Sequence, residues 1–321
     1  MKKFVAKRLG SGALTVLCSI IFNFVIIRLA PGDPATLLAG KDNPNPATIA
    51  AIRTRYGLDK SIFEQLIAYL QQLLQGDLGF SYVNNRDVSS LILERVGPTL
   101  LVALTGALIA VVIGTLLGVY AARKKGTWID QICCGFSYLF DSTPSFWLGL
   151  IMILIFANFL GWLPTSGMYS LRNNYTGLRY YLDVARHMIL PVTTLVLLNI
   201  PYYFRIARSS VLQVMSEDFI TTLRATGMSE KKIFNKYVLR NAIIPTVTVF
   251  GITLAYMITG VALIEITFAW PGMGRLVLDS VTKRDYPVVS GVYLILSICV
   301  AIGMIIVDLV YALVDPRIRI E

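Results

Sequence analysis

The chain has 321 residues, of which 55% are hydrophobic and only 15% charged, with a mean hydropathy of +0.66. A soluble domain needs more charge than this to cover its surface, so the composition is that of an integral membrane protein. The net charge of +10 does not point to nucleic acid, because the 29 Lys and Arg lie in short groups between apolar spans, without a dense basic tract or interleaved aromatics.

Six stretches reach the roughly 20 apolar residues that a bilayer requires. They are 9–30, 97–121, 132–160, 188–206, 242–266 and 287–313. The first follows "MKKFVAKR" and exceeds a typical signal-peptide core of about 7–15 residues, so it reads as a retained helix. Segment 31–95 reads as folded. Asn45-Pro46 can cap and begin a helix that stops at Gly57. Ser61 and Glu64 fit a capping box, after which Phe63, Leu66, Leu70 and Leu73 recur at helical spacing until Gly76. These helices either lid the bundle or meet something outside it.

In the second span, Gly106, Ala110, Gly114 and Gly118 recur every four residues, a spacing that lets helix backbones approach closely. In the third, Asp141 lies about ten residues into the apolar run, where an acid is costly. It precedes Ser142-Thr143-Pro144, where proline opens the helical ladder. Asp141 either pairs with a neighbouring helix or lines a polar path with Ser142, Thr143, Thr193, Thr194 and Asn199. His187, the single histidine, reads as a boundary residue at the start of the fourth span, and Glu265 and Asp308 as groups reaching the interface from helix ends. Cys18 and Cys299 lie in apolar runs and Cys133 and Cys134 are adjacent, so no CxxC spacing indicates a metal site or a disulfide framework.

The short loops set the orientation by their positive charge. Lys2, Lys3, Lys7, Arg8, Arg123, Lys124, Lys125, Arg317 and Arg319 fall on one side with the basic stretch 207–241, which places both termini and that stretch in the cytoplasm. Within it, Ser216 followed by Glu217 and Asp218 is expected to start a helix bearing Phe219, Ile220 and Leu223, and Gly227 to stop it in left-handed geometry. Ser229 is expected to cap a second helix with an apolar face of Ile233, Phe234, Tyr237 and Val238, while Lys232, Lys236 and Arg240 lie on another face. Helices this short are marginal alone, so their apolar faces require burial, on the chain's own spans, on lipid or on a partner.

"LRATGMSEKKIFNKYVLRNAIIP" resembles the cytoplasmic loop of ABC-importer permease subunits, and more closely that of the peptide/nickel permease family. The similarity continues through "APGDPA" (30–35), "GDLGFS" (76–81), "PSFWLGL" (144–150), "FAWPGMGR" (268–275), "RDYPVV" (284–289) and "DPRIR" (315–319), in that order along essentially the whole chain. It departs from the older permease signature, which has Glu-Ala-Ala where this chain has Thr221, Thr222 and Leu223.

The resemblance implies an all-α type I importer permease of six transmembrane helices. Residues 1–30 would form the N-terminus and first span, 31–95 an extracytoplasmic helical segment, 96–313 the permease core and 314–321 a cytoplasmic tail. It further implies that Arg224, Ala225, Thr226, Gly227, Met228, Ser229, Lys231, Lys232, Ile233 and Phe234 form a coupling loop that docks on an ATP-hydrolysing subunit. The partners would be a second homologous permease, two ATP-binding subunits carrying ATP and Mg²⁺, an extracytoplasmic solute-binding protein and membrane lipid. This chain itself would bind no cofactor, metal or nucleic acid. It carries no GxxxxGK[ST] loop, and neither HExxH, GxSxG nor paired aspartates for an intramembrane enzyme. The solute implied is a peptide, with nickel or a metal chelate as the alternative cargo, and an ATP-independent transporter is the remaining rival.

Overall fold

A computed structural model describes residues 2–29, 35–36, 45–55 and 57–314. Most of "APGDPA", all of "DPRIR", the tail residues Arg317 and Arg319, and the side chain of Asp308 lie outside the described set. The chain divides into two compact units, Met1–Gly97 with Arg275–Ile305, and Pro98–Gly274 with Ile306–Glu321.

The first unit opens with α1 (Lys2–Leu29), followed by α2 (Pro46–Arg55) and α3 (Ile62–Leu74). The Asn45 side chain accepts from the Ala47 amide at the head of α2, and Gly57 takes φ +64° after its end. At α3 the Ser61 hydroxyl accepts from the Glu64 amide while the Glu64 carboxylate accepts from the Ser61 amide, the reciprocal capping box expected there. A two-residue ladder, β1 (Phe80–Ser81) with β2 (Arg86–Asp87), lies between α3 and the next helix, pairing Phe80 with Asp87 and Ser81 with Arg86. Buried Asp285 closes that hairpin by accepting from the Ser81 hydroxyl at 2.5 Å and from the amides of Tyr82 and Val83. "GDLGFS" and "RDYPVV", 204 residues apart from Ser81 to Asp285, therefore form one joint.

α4 (Val88–Arg123) runs from the first unit into the second, which continues with α5 (Trp128–Asp141), α6 (Ser145–Met152) and α7 (Leu178–Met215). α6 continues to Phe159 with wider, i to i+5, turns. The third apolar stretch is not one straight span: α5 and the helix from Ser145 to Phe159 meet at 102°. The break falls at Ser142-Thr143-Pro144, where proline has no amide to donate and disfavours helix in the residue before it. Among the described residues, five helices are long and apolar enough to cross a membrane, or six if the bent pair counts as one span.

α4 packs on α7 through the small residues of its stripe. A Cβ on Gly118 would lie 2.5 Å from the Phe204 carbonyl oxygen, on Gly114 2.9 Å from that of Ile200, and on Gly106 2.4 Å from the Leu195 side chain. The core around this contact includes Val102, Ala103, Ala110, Leu195, Ile200 and Tyr203. α7 begins ten residues before the fourth apolar stretch does, so His187 sits inside a helix rather than at its start. There it is buried, with Nδ1 2.8 Å from the Asp183 carbonyl.

Candidate functional site

The stretch between α7 and the next long helix folds as a helix–turn–helix. Ser216 ends α7, its hydroxyl donating to the Gln213 carbonyl, so the N-cap of α8 (Asp218–Ala225) is Glu217 instead. The early carboxylates Glu217 and Asp218 still sit at the positive end of the helix dipole. α8 stops in a Schellman motif: the Gly227 amide donates to the Arg224 carbonyl at 3.0 Å and the Met228 amide to the Leu223 carbonyl at 3.4 Å. That geometry places Gly227 at φ +78°, and Leu223 and Met228 come together on the cluster below.

α9 (Glu230–Lys232) follows, widens to i to i+5 turns over Ile233–Val238 and closes as α10 (Leu239–Ala242). Ser229 stands at its N-cap position, but its side chain makes no capping bond. Arg224 Nε donates to Glu230 Oε1 at 2.7 Å and so braces the two helices across the turn. This hydrogen bond holds the Arg224 guanidinium above its usual range.

Ile220, Ile233, Phe234, Val238 and Ala242 are buried against Val211 of α7 and Ala122 of α4, and the Arg123 guanidinium sits 4.5 Å over the Phe234 ring. Most of both apolar faces is thus spent on the chain's own spans, while Phe219 of the first face stays exposed. Ile233 and Phe234 anchor the loop from below, and Met228 is half-buried. Arg224, Ala225, Thr226, Gly227, Ser229, Lys231 and Lys232 stay exposed, as do Lys236 and Arg240. The result is a mostly polar tip on a packed apolar base.

The polar residues of the spans divide. Asp141, Ser142 and Thr143 come together at the α5–α6 break, where Arg205 Nη1 of α7 meets Asp141 Oδ2 at 2.7 Å with both side chains over two-fifths exposed. The hydroxyls of Ser142 and Thr143 donate to the Leu139 carbonyl. On α7, Thr194 is fully buried and donates to the Leu190 carbonyl, Asn199 donates to the Leu195 carbonyl, and Thr193 is half-buried. Thr194 and Asn199 are thus turned to the backbone of their own helix.

Two further charge sites escaped the sequence reading. Arg208 of α7 holds Asp130 of α5 in a two-pronged bond, 2.7 Å from Nε and 2.8 Å from Nη2, and the Gly126 amide adds a third donor at 3.1 Å. A search for basic residues on neighbouring spans opposite each acid would have nominated Arg205 and Arg208. The second site corrects an expectation. Beyond α11 (Ile244–Gly260), Glu265 of α12 (Ala262–Thr267) does not reach an interface but is fully buried.

Its carboxylate accepts from the Thr99 hydroxyl at 2.6 Å and from the Gly274 amide at 2.8 Å. Thr99 in turn accepts from the Met273 amide, and the Trp270 indole donates to the Pro98 carbonyl. A Cβ on Gly272 would lie 2.1 Å from this carboxylate and one on Gly274 2.3 Å from Ala262, which explains both glycines of "FAWPGMGR". α13 (Met273–Thr282) and α14 (Tyr286–Val314) complete the described residues.

The described chain is a many-span helical protein with a loop braced across its turn. Residues 114–320 match the family described as binding-protein-dependent transport system inner membrane component, and residues 1–104 match that family's N-terminal component. The chain is 36% identical to the di/tripeptide transport system permease protein DppB of Pseudomonas aeruginosa, over 99% of both chains. It is 38% identical to the glutathione transport system permease protein GsiC of Salmonella choleraesuis, again over 99% of both. Among solved structures, an inward-facing MetNI methionine ABC transporter chain superposes with a TM-score of 0.52 at 19% identity, covering 71% of this chain and 97% of that one. The chain belongs to the binding-protein-dependent transport permeases of the inner membrane.

Proposed function

We propose that this chain is the permease subunit of an ATP-driven importer of di- and oligopeptides, working by alternating access beside a second homologous permease. The observation that carries the proposal is the loop between α7 and α11. Ile220, Ile233, Phe234 and Val238 are consumed internally while Phe219 stays exposed, so the tip around Gly227, from Arg224 to Lys232, is a mostly polar knob on a packed apolar base. Such a knob suits a groove in a separate ATP-binding subunit, where closure of two such subunits on ATP and Mg²⁺ would push on α7 and α4 through Ile220, Ile233 and Phe234. A solute-binding protein would deliver cargo on the other face.

Peptide as cargo is supported by the di/tripeptide and glutathione permeases among the relatives. It is also supported by the chemistry at the α5–α6 break. There a half-exposed carboxylate and guanidinium, neutral as a pair, stand beside hydroxyls that can meet backbone amides and charged peptide ends. A bare divalent ion instead needs several hard or imidazole ligands to replace its water, and the single histidine already meets the Asp183 carbonyl. In cells carrying the whole complex, unlabelled di- and tripeptides are expected to compete with uptake of a labelled dipeptide. Nickel or chelate accumulation that peptides leave untouched would overturn the peptide reading.

A further inference from the structure

In the first unit, a cavity of about 370 Å³ lies at the end of α1 away from the basic N-terminus. Its wall carries Arg28, the rings of Phe24, Tyr69, Tyr82 and Tyr286, and Asp77. Arg28 is partly buried, its Nε meets no hydrogen-bond acceptor among the described residues, and its guanidinium lies 5.1 Å from the Phe24 ring centroid. A buried guanidinium donor without an acceptor costs free energy, so among the described residues this donor is left for an acceptor from outside the chain.

The place of the cavity says which anion. α1 is apolar from Arg8 to Leu29, and only 11% of its most apolar window is buried. Leu9, Leu14, Phe22, Ile26 and Leu29 along it are exposed, a surface that belongs in acyl chains. Arg28 is 20 residues beyond Arg8, or about 30 Å along a helix, which is the thickness of a bilayer core. Arg28 and its tyrosines therefore stand at headgroup depth beside a lipid-covered helix.

The charges at the cavity are mixed. Arg28 and Lys60 are the cations, and Asp77 and Asp87 the acids. The Asp77 oxygens already accept from the Gly79 amide and from Gln72 Nε2. A purely anionic headgroup would meet these acids unfavourably. A headgroup with both a phosphodiester and an ammonium would satisfy both signs.

We propose that this cavity is a binding site for a phospholipid headgroup of the ethanolamine class. The phosphodiester oxygens take the Arg28 fork, the ammonium turns to the Asp77–Asp87 side, and Phe24 and Ile27 cover the glycerol end. Occupancy would tie α1 to α3 and to the start of α14. The proposal does not depend on which solute the complex carries.

Native mass spectrometry of the whole purified complex tests it, with phosphatidylethanolamine, phosphatidylglycerol and inorganic phosphate as probes. The wild type should retain phosphatidylethanolamine in preference to phosphatidylglycerol, and millimolar phosphate should not displace it. Arg28→Gln should weaken retention about tenfold or more, the scale of a lost charge-assisted bond. Arg28→Lys, which keeps the charge without the fork, should fall between them. Lys60→Gln reads the rim by the same assay in case Arg28→Gln does not assemble, and should lower retention by a smaller factor. Unchanged retention in assembled Arg28→Gln and in Lys60→Gln, preference for phosphatidylglycerol, or displacement by phosphate or by a dipeptide would each overturn the assignment.

Discussion

Gly227 holds φ +78° with no heavy atom within 4 Å of where a Cβ would sit. A substitution there meets backbone strain and no steric wall, so its effect reports the turn alone. A left-handed non-glycine residue costs about 1–2 kcal/mol, more when β-branched and less for asparagine. Gly227→Val is therefore expected to misaim α9 and separate ATP hydrolysis from uptake, whereas Gly227→Asn should keep most transport. Paired ATPase and uptake assays on the reconstituted complex check this, and wild-type coupling in Gly227→Val would sink the proposed role of the knob. This glycine was legible in the sequence because a helix stop is a local event. The fates of Ser216, Ser229 and Glu265 were not, because the residue types that cap a helix also end one, and burial depends on what packs above.

At the scale of elements, the α4–α7 contact is set by atoms too close to admit a side chain. Gly118→Val would drive methyls into the Phe204 carbonyl, at a cost of about 1–3 kcal/mol for overpacking. Gly135 of α5 has nothing within 4 Å of its would-be Cβ, so Gly135→Val is the matched control. Thermal unfolding of the purified complex should fall clearly for the first and much less for the second.

α3 offers a different lever. Ser61→Ala should cost about 1 kcal/mol of local helix stability. The Ser61 hydroxyl and then its amide hold the Glu64 carboxyl below its usual range. A depressed acid stabilises fully above its unfolded pKa and loses that contribution as pH falls through the folded one, so acidification should fray α3. Hydrogen exchange on residues 62–66 should rise relative to α4 as the pH drops below the ordinary glutamate range, after correction for intrinsic exchange. It should do so less in Glu64→Gln, which has no charge to lose.

For the whole molecule, the excess of Lys and Arg in the short loops predicts which surfaces face the cytoplasm. Gln71 on α3 and Lys231 on α9 are both exposed, so either accepts a labelling cysteine once Cys18, Cys133, Cys134 and Cys299 are replaced. A cysteine at position 71 should react with an impermeant thiol reagent added outside intact cells, and one at 231 only after the membrane is opened. The reverse pattern would invert the topology and move the knob to the wrong side for an ATPase.

By itself the sequence determined the membrane class, the approximate spans, the capping box at Ser61, the left-handed stop at Gly227 and the close-packing stripe of α4. Each follows from a local rule: bilayer thickness, helical period, backbone sterics. Its ordered motifs also identified the family. Tertiary structure alone decided where the apolar faces of the helix–turn–helix go, how sharply the third span bends, and what holds each buried charge. Asp130 meets Arg208 across 78 residues, Thr99 meets Glu265 across 166, and Ser81 meets Asp285 across 204. No local pattern encodes such pairs, because a polar group's burial is tolerated only when the partner that satisfies it arrives from another element.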